Sequence, residues 1–588
     1  MLILAPSDSR TEIRASRALI ARAEAEPELL FGGGAPQVLA VGQSIPLPRS
    51  GRAASVSLPI DVNRTIERVL SSVPIDVVHV HEPFAPSASS AALRHSRALN
   101  VASFHEPAER ALSTQMARPL VELFFGRLDA RTVSYRATGD LLDRYFPGTH
   151  ELIGPGVDRV EPADGGRSEG EPPELLFCLR EERAALRVFL RALRRLPLEL
   201  DWRATIWTGE RGEPAVRLNR RLRERVQVLG PADATPEQLA ARASVICLAS
   251  GGPRLAPGLI SLAQAAGAVP VVPHLALYAE LTDDGECGLL FPVGDHLTLA
   301  GQIERLIADP ALRAELARRG EQLHAGRTWA RVAEELEGVY ARIAARRQDP
   351  APNPKLRRLI DSRPHIECDL HMHTDHSPDC ATPPEVLVET AKQRGLDAIA
   401  VTDHNEISGA LAAREVAERI GGIKVIVGEE IKTAEQGEVI GLFIEQLIPR
   451  GMTMAETIAA IREQGGLVYV PHPFDRFHTV PDYEHLLEIV EQIDILEVFN
   501  PRVAFSAFNE EAVRFAAKYR IVAGAGSDGH VAQALGSVRI RLRDFEGPQE
   551  FLEAMREADI VRKHRNLVYV QTLKFLQTAS RRRARRRA

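Results

Sequence analysis

The stretch CDLHMHTDHSPDC, residues 368–380, gathers His371, His373 and His376 beside Asp369, Asp375 and Asp379. Imidazole and carboxylate mixed at this density suit zinc, manganese or iron, with no thiolate required. Closely spaced divalent ions clamp a phosphoryl group, lower the pKa of a water and stabilise the leaving oxygen. The chemistry open to such a cluster is hydrolysis of a phosphate ester by metal-activated water, without a serine or cysteine nucleophile.

Strands must position these residues, and the chain supplies them in series. IECDL runs into His371 and His373, DAIAVT into Asp403 and His404, and KVIV into Glu429 and Glu430. LVYVP then runs into His472, and IVAGAGS into Asp528 and His530. Between them lie helical segments that stop at Gly395, Gly421 and Gly465. A single histidine after a strand is ordinarily a hydrogen-bonded structural residue. Five of the eighteen histidines (His371, His373, His404, His472 and His530) follow strands at the same end, which independent accidents would not choose. In a barrel of parallel strands those ends converge on one face.

The rest of the chain bounds the reading. At 588 residues it exceeds one hydrophobic core and must divide into domains. A net charge of −6 gives no general attraction to nucleic acid or anionic membrane. The five cysteines are scattered without a CxxC pair, so neither a disulfide framework nor a cysteine zinc site is indicated. No apolar run is long enough to span a bilayer, and MLILAPSDSR lacks a secretory signal, so the expected compartment is the cytoplasm. The segment 346–364, rich in proline and charge without an apolar period, reads as a linker. Before it, IDVVHVH, NVASFH, ASVICLA and AVPVVP alternate with helical stretches, the pattern of parallel βαβ units.

DLHMHT, VTDHN, GEE, PHP and GSDGH, in that order, resemble the PHP (polymerase and histidinol phosphatase) superfamily over about residues 365–560. The resemblance implies a distorted seven-stranded βα barrel holding two or three divalent metal ions (Mn, Zn or Fe). By the same resemblance His371, His373, Glu430 and Asp528 hold the first ion, and a catalytic Glu430 bridges to a second shared with His472. Asp379, His404 and His530 hold the third, with Asp379 chosen over Asp375 and His376 by its spacing from His373. Where relatives supply another histidine to the second ion, this chain has Glu438, and a carboxylate there shifts preference toward manganese or iron. The alternative for Glu438 is a solvated strand end. Arg476, four residues past His472, is the candidate to grip a phosphate oxygen, with a solvated loop arginine as the alternative. His478 is a weaker candidate, and Asp403 is a partner for orienting a ligand.

Residues 76–107, 263–272 and 284–313 resemble the family 4 glycosyltransferases, notably the lipid-linked mannosyltransferases of actinobacteria. That implies two Rossmann-like halves of GT-B type facing a cleft, and MLILAPSDSR matches the second strand of the first half, with its usual first strand and glycine-rich loop lacking. The two glutamates that hold the nucleotide-sugar in that family correspond here to Arg254 and Leu262. The Arg and Lys that neutralise its diphosphate fall on Leu179 and Ala184. Each lost charge-assisted bond is typically worth about 1.5–3 kcal/mol. No nucleotide-sugar binding is expected, although His105, near the sugar in relatives, remains as a substrate-binding candidate.

The expected fold class is therefore α/β, with two Rossmann-like half-domains (1–165 and 166–346), a linker (347–364), the barrel (365–560) and a C-terminal segment (561–588) ending in the basic tail SRRRARRRA. The expected function is a metal-dependent phosphoesterase whose glycosyltransferase-like part scaffolds or recognises substrate. The expected partner is a phosphorylated small molecule such as a sugar phosphate or phospholipid headgroup, with no stable nucleic acid partner. The arginine tail offers weak contact to an anionic membrane. The competing readings are an active glycosyltransferase with an accessory barrel, a nuclease of the same superfamily, and a non-catalytic scaffold.

Overall fold

The computed structural model describes residues 1–31, 35–46, 55–57, 59–84, 87–105, 125–157, 171–209, 216, 218–348, 353–434, 437–475, 480–481 and 483–562. The chain divides into two compact units, Met1–His95 with Asn100–Ala341, and Ser96–Leu99 with Arg342–Ala588.

The first unit begins with β1 (Leu2–Ser7), β2 (Gln37–Pro46) and β3 (Ser55–Ser57) in one sheet. A second sheet holds β4 (Val77–His81), β5 (Leu99–Phe104), β6 (Ala130–Val133) and β7 (Glu151–Leu152) in that order. The third contains β8 (Glu174–Cys178), β9 (Arg203–Trp207), β10 (Val226–Leu229), β11 (Val245–Cys247), β12 (Val269–Pro273) and β13 (Leu289–Phe291). Its six strands are all parallel in the order β10-β9-β8-β11-β12-β13. Numbered within the half, that is 3-2-1-4-5-6, the doubly wound Rossmann order, whose direction reverses between β8 and β11. The central strands β8, β11 and β12 are buried on both faces, as strands covered by helices on two sides must be. Leu175, Phe177, Ala204 and Ile206 pack toward one layer, and Leu176, Cys178 and Trp207 toward the other.

The second unit is built on β14 (His365–Met372), β15 (Ala398–His404), β16 (Lys424–Lys432), β17 (Glu438–Leu442), β18 (Leu467–Val470), β19 (Ile495–Phe499) and β20 (Val522–Ala525), hydrogen-bonded in chain order. A parallel bridge between Met372 and Gly529 ties the segment after β20 back to β14, so the seven strands nearly close. β21 (Val538–Arg543) and β22 (Asp559–Arg562) extend the sheet antiparallel beside β14. The barrel is not wholly parallel, as a plain βα repeat would require. β17 runs antiparallel to both β16 and β18. Only a short loop separates it from β16, too little chain for the crossover a parallel pair needs.

The proline-rich segment read as a linker contains a helix, Pro354–Asp361. Asn353 caps it by accepting from the Lys355 and Leu356 N–H groups, and Pro354 occupies the first turn, where a missing N–H costs nothing. Leu356 is half-buried and Ile360, one turn on, enters the barrel core beside Phe551 and Leu542. A single pair of apolar residues one turn apart is too short a signal to stand out among the charges.

Candidate metal centre

The C-terminal ends of the parallel strands deliver their polar residues to one mouth of the barrel. On β14, side-chain alternation puts Asp369 and His371 on one face and Cys368 and Leu370 on the other, and His373 continues the first set. Asp369 accepts from the Ser527 N–H at 2.8 Å, which fixes the β20 loop against β14. β17 joins from the opposite direction. Because it is antiparallel, its first residue, Glu438, lies at this same mouth, paired in register with Lys432.

Four overlapping groups of donor atoms result, each with all atoms within 4.8 Å of one another: His371, His373 and Glu430; His371, His472 and Asp528; Glu430, Glu438 and His472; His373, His404 and His530. Glu430 Oε2 lies 3.4 Å from His371 Nε2, 3.5 Å from His373 Nε2 and 3.0 Å from His404 Nδ1. Its Oε1 lies 3.2 Å from His472 Nε2. Asp528 Oδ1 is 3.4 Å from His373 Nε2 and 3.9 Å from His371 Nε2. Asp379 stands on the outer side of the last group, 2.8 Å from His530 Nε2 and 3.7 Å from His404 Nε2. His373 thus shares two groups, where the resemblance assigns it to the first ion alone.

The chemistry of the donor set fits divalent ions. His371 Nε2 and His373 Nε2 lie 3.2 Å apart, both turned to Glu430 Oε2, while His371 Nδ1 is engaged by Glu497 Oε1 at 3.1 Å. With the proton of His371 on Nδ1, lone pairs of imidazole and carboxylate meet with too few hydrogens between them, an arrangement that a cation completes. Electrostatics tell the same story. Burial would lower His371, but the carboxylates of Asp528, Glu430 and Glu497 raise it well above the usual histidine range. Burial would lift Glu430, yet His404 and His371 hold it well below the usual carboxylate range. His373 is driven down by burial and by His530 and His404. Glu438 is pushed up to about 7 by burial and by Glu430. His472 (φ 27°) and Asp528 (φ 47°) both sit at positive φ, a backbone cost that this site sustains.

Other side chains hold the donors in place. Asp403 donates nothing to the mouth; it accepts from the Thr374 N–H at 2.7 Å and the Ser377 hydroxyl at 2.7 Å. Ser377 Oγ in turn meets His373 Nδ1 at 3.2 Å and accepts from the His404 N–H at 3.0 Å. Glu497, Asn500 and Arg502 were not singled out from the sequence, although IDILEVFN is a strand ending at the same mouth. Glu497 accepts from the Tyr469 hydroxyl at 2.8 Å and the His472 N–H at 2.7 Å, and Arg502 Nη1 lies 2.5 Å from Asp528 Oδ1. Extending the strand-end rule to this sixth strand would have found all three. Arg476, His478 and the arginine tail lie outside the described residues.

In the first unit, His105 Nε2 lies 2.9 Å from His81 Nδ1, and its Nδ1 lies 2.6 Å from Ser134 Oγ. At the reversal between β8 and β11, two adjacent carboxylates bridge the loops. Glu181 accepts from the Ala249 N–H at 2.6 Å and the Tyr278 hydroxyl at 2.6 Å. Glu182 accepts from the Gly251 N–H at 2.5 Å and the Ser250 hydroxyl at 2.8 Å. Leu179 and Ala184 flank this pair. All five cysteines are buried and free. Among the described residues no helix is long and apolar enough to cross a membrane.

Comparison with known families places matches on both units. A PHP domain model matches residues 369–570, Glycosyltransferase Family 4 matches 15–161, and Glycosyl transferases group 1 matches 172–309. An uncharacterized protein of Methanocaldococcus jannaschii is 37% identical over 147 residues, 23% of this chain and 82% of its own. The phosphatidyl-myo-inositol mannosyltransferase of Mycobacterium leprae is 29% identical over 327 residues, 52% of this chain and 84% of its own. Among solved structures, a glycosyltransferase from Rickettsia africae aligns with a TM-score of 0.43 at 15% identity, covering 58% of this chain and 97% of that one.

Proposed function

We propose that this chain, which belongs to the PHP domain family through residues 369–570 and carries a glycosyltransferase-like N-terminal region, is a metal-dependent phosphoesterase. The observation that carries this reading is the convergence of His371, His373, Glu430, Glu438, His472, Asp528, His404 and His530 at one barrel mouth, with Glu430 shared between groups.

Divalent ions held by these residues would polarise the phosphoryl oxygens and activate water. The water oxygen bonds to phosphorus, the ester P–O bond breaks, and the alcohol leaves with a proton. The chain's own groups prepare that step. Glu430 presents one oxygen toward His371, His373 and His404 and the other toward His472, which suits a carboxylate spanning two ions. Glu497 sets the tautomer and orientation of His371. His404 and Asp379, with side chains 23% and 34% exposed, mark the side from which substrate enters.

The glycosyltransferase-like unit is read as catalytically degenerate. In a Rossmann sheet, ligand phosphates bind where the strand order reverses, on loop N–H groups. Here Glu182 already accepts from the Gly251 N–H and Glu181 from the Ala249 N–H, so carboxylates take donors that a diphosphate would use. By the family resemblance, the cations that would offset this correspond to Leu179 and Ala184. Because the mycobacterial relatives bear the name of enzymes acting on phosphatidyl-myo-inositol, the unit is proposed to recognise a sugar phosphate or phospholipid headgroup rather than a nucleotide-sugar. Free buried cysteines accord with the cytoplasm.

The test is hydrolysis of chromogenic phosphomonoester and diester substrates by the full chain with Mn²⁺, Zn²⁺ or Fe²⁺, beside a His404→Ala, Asp528→Asn double variant. Metal-dependent turnover lost in the variant supports the reading, and a protein that binds no metal defeats it. Calorimetric binding of any nucleotide-sugar would reinstate the glycosyltransferase.

A further inference from the structure

We infer that Arg502 binds the terminal phosphate of the substrate and selects phosphomonoesters over diesters, an inference that rests on the phosphoesterase reading above. Arg502 follows β19 in the turn Asn500-Pro501-Arg502, at the mouth that carries the donor groups. Its side chain is only 12% exposed, and its Nη1 lies 2.5 Å from Asp528 Oδ1 and 2.8 Å from His530 Nδ1. Nη1 also donates to the Asp528 carbonyl at 3.4 Å. Among the described residues, nothing accepts from its Nε or Nη2.

A guanidinium keeps its charge and offers five N–H donors in a fixed plane. Here Nη1 is spent on Asp528 and His530, while Nε and Nη2 carry no partner among the described residues on a side chain that is 12% exposed, an arrangement open to an arriving anion. Asn500 Nδ2 donates to both Glu497 Oε2 (3.1 Å) and Asp528 Oδ2 (3.3 Å), so the turn carrying Arg502 is tied to the same carboxylates that surround the donor groups. Arginine suits phosphate because its parallel N–H groups match two phosphate oxygens.

The selectivity follows from counting oxygens. A diester offers two non-bridging oxygens and one negative charge. A monoester offers three, with up to two charges. Were ions at these donors to hold two oxygens, only a monoester would retain a third for a guanidinium. Arg502 rewards that third oxygen.

The experiment uses the metal-loaded full chain, with Arg502→Met and Arg502→Lys beside the wild type. It measures metal content by mass spectrometry, inorganic phosphate binding by calorimetry, and kcat/KM for matched mono- and diester substrates. The expected result is wild-type metal content in both variants and phosphate binding at least about tenfold weaker in the methionine variant, partly restored by lysine. Monoester kcat/KM falls on the order of 100-fold in the methionine variant and diester kcat/KM far less. Unchanged phosphate affinity, or equal losses on both esters, overturns the inference. Loss of metal in the methionine variant also overturns it, since Arg502 would then serve only to hold Asp528. If the wild type takes up metal but hydrolyses neither ester, the phosphoesterase reading itself has failed, and the inference with it.

Discussion

Glu497 stands behind His371, its Oε1 3.1 Å from Nδ1, while the Nε2 of the same ring faces Glu430 Oε2 at 3.4 Å. The imidazole is thus clamped between a carboxylate that orients it and one that shares its candidate ion. Both carboxylates are buried, so neither contact is screened by solvent.

Glu497→Gln is expected to preserve the fold, because the amide oxygen in the place of Oε2 still accepts from the His472 N–H while the NH2 in the place of Oε1 donates to the Tyr469 hydroxyl oxygen and no longer accepts from His371 Nδ1. It should weaken divalent metal binding about 10- to 100-fold by loosening His371. Competition against a chelating dye measures this, and unchanged affinity would mean that His371 is oriented by something else.

Glu438 brings a carboxylate within 4.8 Å of donor atoms on Glu430 and His472. Glu438→His should move metal selection toward zinc, since imidazole is the softer donor. Mass spectrometry after dialysis against equimolar Mn²⁺, Fe²⁺ and Zn²⁺ reads the shift. Identical metal ratios in the two proteins would remove Glu438 from the ligand set.

Gly526 leaves no room for a side chain: a Cβ there would meet His371 Cβ at 2.2 Å and the His371 backbone nitrogen at 2.8 Å. Gly526→Ala should cost about 1–3 kcal/mol and displace His371. Trp202, Trp207 and Trp329, the chain's three tryptophans, all lie in the first unit. Calorimetry should therefore show a lowered barrel transition with the tryptophan-fluorescence transition unmoved; a matching fall in both would contradict this.

Glu181 is buried and pushed up to about 7 from 4.5, chiefly by burial, with the Tyr278 hydroxyl and Ala249 N–H pulling the other way. The folded chain therefore binds this proton more tightly than the unfolded chain. Stability of the first unit should fall as pH rises from about 4.5 to about 7, by up to about 3 kcal/mol from this group, and level off above. Urea unfolding followed by tryptophan fluorescence should show that slope in the wild type and lose it in Glu181→Gln. The same slope in both would assign it to other groups.

Much of the candidate site's layout was legible in the sequence. His371, His373, His404, Glu430, His472, Asp528 and His530 each follow an apolar run, and a parallel βα repeat forces such positions to one end of the barrel. The parallel pairing of β8–β13 was likewise implied by strands alternating with helices, and its Rossmann-like form by the family resemblance, whereas the strand order was not. The helix Pro354–Asp361 was missed because its apolar signal is two residues, Leu356 and Ile360, within a run of charge and proline.

What the sequence by itself determined was which residues carry donors and at which strand ends they fall, because apolar periodicity and chain order are local properties. Only the tertiary structure decided which donors meet. Glu438 reaches the mouth because β17 runs against its neighbours, a matter of pairing direction that side-chain pattern does not record. Arg502 meets Asp528 because β19 and β20 pair in parallel and end together, and Glu497 meets His371 because near-closure of the barrel brings β19 toward β14. Glu181 and Glu182 meet Ala249 and Gly251 because the sheet order reverses between β8 and β11. Each contact joins residues dozens of positions apart or more, and long-range pairing is the information that local sequence lacks.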